Sequence, residues 1–98
     1  ELKGHLRGAP WKKPEHERIF ATAMEISPEG HLQMMAAIQP FVSGAISKTV
    51  NLPAQFTAEQ IGQLYLRAYQ LGLKSIAIYR DKSKLNQPLT IADCMDCA

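Results

Sequence analysis

Gln39 to Pro53 reads QPFVSGAISKTVNLP, and the reading of this stretch decides the fold. Its second half, Ala45 to Asn51, has the pattern of a buried strand. Ile46 and Val50 are apolar and β-branched, and Ser47, Thr49 and Asn51 fall on the opposite face at period two. Its first half, Pro40 to Gly44, is expected to be a sharp, buried turn, because this proline and glycine leave no room for a helix to continue. A row of small polar side chains on one face of an apolar strand has two readings. The row points into a site, or it hydrogen-bonds across a packed layer, as buried polar groups ordinarily do.

Toward the carboxyl end, Pro53 stops sheet pairing. Thr57 and Gln60 then make a Thr-x-x-Gln capping box, which opens a helix over about 58–71. Its Ile61, Leu64, Tyr65, Ala68 and Leu71 recur at helical spacing, with Glu59, Gln63, Arg67 and Gln70 toward the other side. Gly72 stands where a helix-ending glycine belongs. A second strand follows over about 74–80, KSIAIYR, with Ile76 and Ile78 on one face and Ala77 and Tyr79 on the other. Strand, amphipathic helix, strand is a βαβ unit, whose strands are parallel and joined by a right-handed crossover. Two parallel strands do not make a stable sheet by themselves. The fold class is therefore α/β: a βαβ unit with flanking helices, expected to be a slice of a larger domain or a piece completed by oligomerisation.

Toward the amino end, Ser27 is a good N-cap and Pro28 fits a first helical turn, so a helix runs over about 28–39. Leu32, Met34, Met35, Ala36, Ala37 and Ile38 cover nearly its whole circumference, which predicts burial on all sides. Its methionines could alternatively be soft ligands or an adaptable binding surface, but no other ligand pattern accompanies them. An earlier helix, about 14–24, starts at Pro14, with Glu15 and Glu17 favourably placed at its amino end and Ile19, Phe20 and Ala23 as its apolar stripe. Residues 1–13 read as a loop or arm, with Leu6 and Trp11 as its anchors onto something larger. Residues 14–81 read as the folded segment, and residues 82–98 as a polar, mobile tail.

The 98 residues suit one small domain, and a hydrophobic content of 46% excludes disorder by composition. The net charge of +2 is too mild to argue for nucleic acid. The basic cluster Lys3, Arg7, Lys12 and Lys13, beside His5 and His16, reads as a solvated arm. No apolar run approaches the ~18 residues of a membrane helix, and no secretory pattern opens the chain, so a cytoplasmic protein with no membrane partner is expected. The first residue is Glu1, which fits a fragment.

Gly44-Ala-Ile-Ser-Lys48-Thr49 brushes against a phosphate loop and fails. Ser47 stands where the second glycine belongs, and the segment forms or precedes a strand where a phosphate loop opens a helix. Cys94-Met-Asp-Cys97 has the CxxC spacing of a reversible dithiol or of half a zinc site. His5, His16 and His31 are scattered singly, so no metal site is expected and redox use is the better functional reading. Asp93 and Asp96 oppose a reactive thiolate by like-charge repulsion, and an incidental pair in a frayed terminus stays open. His31 reads as a packed, hydrogen-bonded side chain. Tyr65, Tyr69 and Tyr79 read as core packing in preference to radical or proton chemistry. No Ser/His/Asp set, carboxylate pair or dinucleotide fingerprint is present.

HLQMMAAIQPFVSGAISKTVNLP, His31 to Pro53, closely resembles a block of the adenosylcobalamin-dependent (class II) ribonucleotide reductases. The resemblance continues through YQLGLKSIAIYRD, Tyr69 to Asp81, into SKLNQPL. Upstream, GAPWKKPEHERIFATA, Gly8 to Ala23, is similar to a shortened form of the segment that enters the block. The resemblance implies the carboxyl-terminal part of a ten-stranded α/β barrel. It implies an enzyme that reduces ribonucleotides to deoxyribonucleotides for DNA synthesis through a thiyl radical generated with adenosylcobalamin. It implies a thioredoxin-like reductant, and a role for Cys94 and Cys97 as the tail dithiol that re-reduces the active-site cysteines. The family's radical cysteine loop, internal reducing pair and phosphate-binding loop have no counterpart in these residues. The chain alone is thus expected to be inactive, to bind no cofactor alone and to work with the remainder of a reductase subunit. The rival reading is a non-catalytic, stand-alone α/β module that binds a partner reductase chain through its sheet edges.

Overall fold

The computed structural model describes residues 9–85. In chain order these form α1 (Pro14–Ile19), α2 (Pro28–Ile38), a 3-10 turn (Gln39–Phe41), β1 (Thr49–Leu52), α3 (Ala58–Gln70) and β2 (Ala77–Arg80). The arm's first eight residues, with Leu6, and the tail beyond Leu85 lie outside the described residues.

β1 and β2 pair in parallel with Thr49 opposite Ala77, Val50 opposite Ile78, Asn51 opposite Tyr79 and Leu52 opposite Arg80. The expected βαβ unit is therefore present, with α3 as its crossover. Both strands are shorter than the sequence reading of 45–51 and 74–80. The ladder can only run where both strands have partners, and the residues just before β1 bond otherwise: Ile46 O accepts from Lys48 N at 3.2 Å and from Ser75 Oγ at 3.0 Å. The strand also runs one residue further, to Leu52, which is fully buried together with Val50.

One apolar cluster holds the elements together. Leu32 and Met35 of α2, Val50 and Leu52 of β1, and Leu64 and Ala68 of α3 form its centre, with Ile46, Phe56, Ile61, Leu71, Leu73, Ile76 and Ile78 packed against it. Both α2 and α3 thus lie on the same face of the sheet. The caps read from sequence are present. Ser27 Oγ accepts from Gly30 N at 3.1 Å. Thr57 N donates to Gln60 Oε1 at 2.9 Å, and Gln60 N to Thr57 Oγ1 at 3.2 Å. α3 ends as a Schellman motif: Gly72 has φ +74°, Gly72 N donates to Tyr69 O at 3.0 Å, and Leu73 N to Ala68 O at 3.1 Å.

Several expectations are corrected. α2 is not buried on all sides: His31, Leu32 and Met35 are buried, whereas Met34 and Ile38 are 59% and 45% exposed. Its inner side meets β1 and the cluster, and its outer side has no covering layer among the described residues. The turn after α2 is not buried either, since Phe41 is 88% exposed. Buried Gln39 shapes it by donating through Nε2 to Val42 O (3.1 Å) and Gly44 O (3.0 Å). The first helix stops at Ile19 instead of 24, and Ile19, Phe20 and Ala23 are exposed. Thr22 N and Oγ1 both donate to Glu25 Oε2 at 2.9 Å, and this local bonding competes with helix continuation. Trp11, read as an anchor onto something larger, is 59% exposed within the described residues, and its ring lies tilted against His16 at 6.3 Å.

Glu29 and Arg67 clamp α2 to α3. Arg67 Nη2 and Nε donate to Glu29 Oε1 at 3.0 and 3.2 Å, and Gln33 Nε2 donates to the same oxygen at 2.6 Å. The Arg67 hydrogen bonds, then the Gln33 one, hold the Glu29 carboxyl below its ordinary value. A carboxyl lowered in the folded state stabilises fully above its unfolded pKa and loses that contribution as pH falls through the folded value. Replacing Glu29 by Gln should therefore lower the melting temperature at neutral pH, and the difference from the parent should close on acidification below the ordinary carboxylate range. Gly72→Ala should cost about 1 kcal/mol, because a Cβ is unfavourable at this left-handed position. Thermal melts of the full-length protein that contains this segment measure both.

Candidate functional site

The sheet has two unlike faces. Val50 and Leu52 point to the helices, with Ile76 and Ile78 on the same side. Thr49 and Asn51 of β1, with Ala77 and Tyr79 of β2, take the other face by strand alternation. Thr49 and Ala77 are exposed there, and Asn51 and Tyr79 are half-buried. The polar row read from sequence is thus on the side away from α2 and α3, and it does not hydrogen-bond into the helix-packed layer. Ser47, the first of the row, is exposed and lies outside the strand.

At the carboxyl ends of both strands the chain forms a fixed rim. Arg80 Nη1 donates to Ala54 O at 3.0 Å and to Phe56 O at 3.2 Å. Phe56 N donates to Pro53 O at 3.1 Å, and Asp81 N donates to Leu52 O at 2.9 Å, one step beyond the ladder. The loop between β1 and α3 is therefore tied at its start by β1, in its middle by Arg80 and at its end by the Thr57–Gln60 box. Glu59 in the first turn of α3 is held below its ordinary value by its own backbone amide and then by Thr57. Asp81 is 3% exposed, and its Oδ1 has no hydrogen-bond partner. Ligands of parallel α/β sheets bind outside the carboxyl ends of the strands. Sequence reasoning missed Arg80 and Asp81, because neither belongs to a motif.

His31 is a structural side chain: it is 3% exposed, and its Nε2 donates to Ala23 O at 2.9 Å. That bond ties the start of α2 to the segment before it. Tyr65 and Tyr69 are 48% and 82% exposed, so the expectation of core packing is corrected for both. They project from α3 beside Leu66, itself 64% exposed, on the side turned from the cluster. The Gly44–Thr49 segment leads into β1 and no helix follows it directly, so it is no phosphate loop. Among the described residues, no group of three or more His, Cys, Asp or Glu side chains could hold a metal ion, and no helix is long and apolar enough to cross a membrane. Cys94 and Cys97 lie outside the described residues.

Comparison with known proteins places this geometry. The family model of the ribonucleotide reductase barrel domain matches residues 1–79. A vitamin B12-dependent ribonucleotide reductase of Streptantibioticus cattleyicolor is 54% identical over 90 residues, covering 89% of this chain and 15% of the relative. Another of that name from Agrobacterium fabrum is 49% identical over 92 residues, covering 86% of this chain and 7% of the relative. A vitamin B12-dependent ribonucleoside-diphosphate reductase of Mycobacterium tuberculosis is 42% identical over 90 residues, covering 92% and 13%. The chain spans a small part, 15% or less, of the length of these relatives. Two parallel strands with helices on one face and a bare second face are what a slice of a barrel wall looks like, and the chain belongs to the ribonucleotide reductase family, within its barrel domain.

Proposed function

We propose that this chain is the carboxyl-terminal part of the catalytic barrel of an adenosylcobalamin-dependent ribonucleotide reductase, a cytoplasmic enzyme that makes deoxyribonucleotides for DNA synthesis. The observation that carries the reading is the one-sided sheet. A parallel pair with α2 and α3 on one face, and with both outer edges unpaired among the described residues, is incomplete until further strands extend it. In a closed barrel the helices form the outer ring and the other face lines the interior. The remainder of the reductase subunit supplies the other strands of a barrel that, by resemblance to the family, has ten in all.

The segment's own work is structural and positional. Its ladder and apolar cluster hold a stretch of wall, and Arg80 fixes the rim loop beside it. Adenosylcobalamin, bound to the whole enzyme, supplies the radical chemistry that ends in a thiyl radical on a cysteine. No step is assigned to this segment through that cofactor. The ribonucleotide and a thioredoxin-like reductant meet the enzyme as a whole. Cys94 and Cys97, separated by two residues in CxxC spacing, are proposed as the tail dithiol that carries electrons from the reductant to the active site.

Two experiments test this. The chain expressed alone should lack a cooperative melt and any turnover, while the full-length protein should reduce ribonucleotides only with adenosylcobalamin. A cooperatively folded monomer from the chain alone would contradict the incomplete-wall reading. Replacing Cys94 and Cys97 by Ser in the full-length enzyme should abolish turnover with the protein reductant and spare turnover with a small dithiol. Unchanged turnover with the protein reductant would remove the tail role.

A further inference from the structure

α3 carries a second apolar strip that the described core does not use. At about 100° per residue, Ala58, Gly62, Tyr65, Leu66 and Tyr69 share one side of the helix, with the i, i+4, i+7, i+8 and i+11 spacing of a packed face. All five are exposed, Leu66 and Tyr69 by 64% and 82%, and none carries a charge. Other sides of the helix are taken. Leu64 and Ala68 face the apolar cluster, and Arg67 clasps Glu29 of α2. Glu59, Gln63 and Gln70 fall between the strip and Arg67 and make a polar side. Gly62 is the second observation. A glycine inside a helix costs stability relative to alanine, and the described residues give no reason for it. Its backbone is ordinary α-helix, and a Cβ built there would meet no atom within 4 Å.

A missing side chain at a helix contact lets a second helix come to the near end of the usual range of about 8–10 Å between axes. Tyr65, Leu66 and Tyr69 then flank the crossing, with the tyrosine rings buried and their hydroxyls at its wet edge. α2 already lies beside α3 on the Arg67 flank, so a helix on the opposite flank continues the same layer. A second copy of the chain fits less well. Stable association takes roughly 800 Å² from each partner, and one flank of the 13-residue α3, about 20 Å by 10 Å, is a fraction of that. The chain also spans 15% or less of its relatives. We propose that the Gly62–Tyr69 strip of α3 is the seat of a helix from the remainder of the reductase subunit, with Gly62 at the crossing point. The proposal rests on the reading of this chain as part of a reductase barrel.

The test uses the full-length protein that contains this segment. Leu66→Cys and, as the control on the polar side, Gln63→Cys are treated with a maleimide under native conditions, and labelling of the peptide carrying each position is followed by mass spectrometry. Leu66→Cys should label roughly ten-fold or more slowly than Gln63→Cys, because the covering helix must first open. Equal rates would overturn the seat. So would protection found only in a dimer and lost on dilution to monomer, which would give the strip to a second copy. Gly62→Ala separates packing from exposure by sign. On a solvated helix it raises the melting temperature, because alanine favours the helix. Under a closely packed helix the added methyl group has no room, and the melting temperature should fall. A raised or unchanged value would overturn the seat, and Leu66→Cys still reads it if Gly62→Ala fails to fold. A full-length protein without cobalamin-dependent reduction would overturn the reductase reading and with it the identity of the occupant, an outcome distinct from an active enzyme whose Leu66→Cys variant labels freely.

Discussion

Four residue pairs of parallel ladder, Thr49–Leu52 against Ala77–Arg80, are the constraint on which the rest of the described chain depends. A parallel pair cannot be closed by a tight hairpin, so its two strands must be joined by a long crossover. α3 is that crossover, and its Leu64 and Ala68 bury the strand residues Val50 and Leu52. α2 docks on the same cluster through Leu32 and Met35, and Arg67 reaches across to Glu29. Each strand nevertheless keeps one unpaired edge among the described residues. Met34, Phe41, Leu66 and Tyr69 are each more than half exposed. Their exposure fits a piece of a larger protein. In a piece covering at most 15% of its relatives, the remaining subunit is the natural cover.

What sequence made legible follows the range of the interactions involved. The caps at Ser27 and Thr57 and the stop at Gly72 were readable because each is a bond between a side chain or backbone group and its near neighbours. The parallel βαβ unit was readable because period two and helical period alternate cleanly between Ile46 and Arg80. Strand lengths were not, because they depend on register: the Ile46 carbonyl is taken by Lys48 and Ser75, and nothing local announces that. The stop of α1 had a visible signal, Thr22-x-x-Glu25, a capping signature inside an apparently helical run. The all-round apolar pattern of α2 was read as complete burial. The described residues cover only its inner side, and Met34 and Ile38 stand exposed on the other.

The candidate site divides the same way. Period two assigned Thr49 and Asn51 to one polar face. Pairing Asn51 with Tyr79 required the register, and a tyrosine on a strand gave no sign of which residue it would stand beside. Arg80 was invisible because its partners are carbonyls of Ala54 and Phe56, and a backbone acceptor leaves no trace in the identity of the residue that carries it.

That choice of acceptor has a mechanical consequence. Because Arg80 grips main-chain oxygens, side chains from Pro53 to Phe56 can vary while the path of the loop stays fixed. The same residue closes the ladder opposite Leu52, so the rim loop and the inner face share one rigid frame. A group on β1 or β2 is then held in a constant relation to the rim, and interactions made from that face cost little reorganisation at the moment of binding. A wall segment built this way holds the neutral side chains of its helix-free face, Thr49, Asn51, Ala77 and Tyr79, in a fixed relation to the rim.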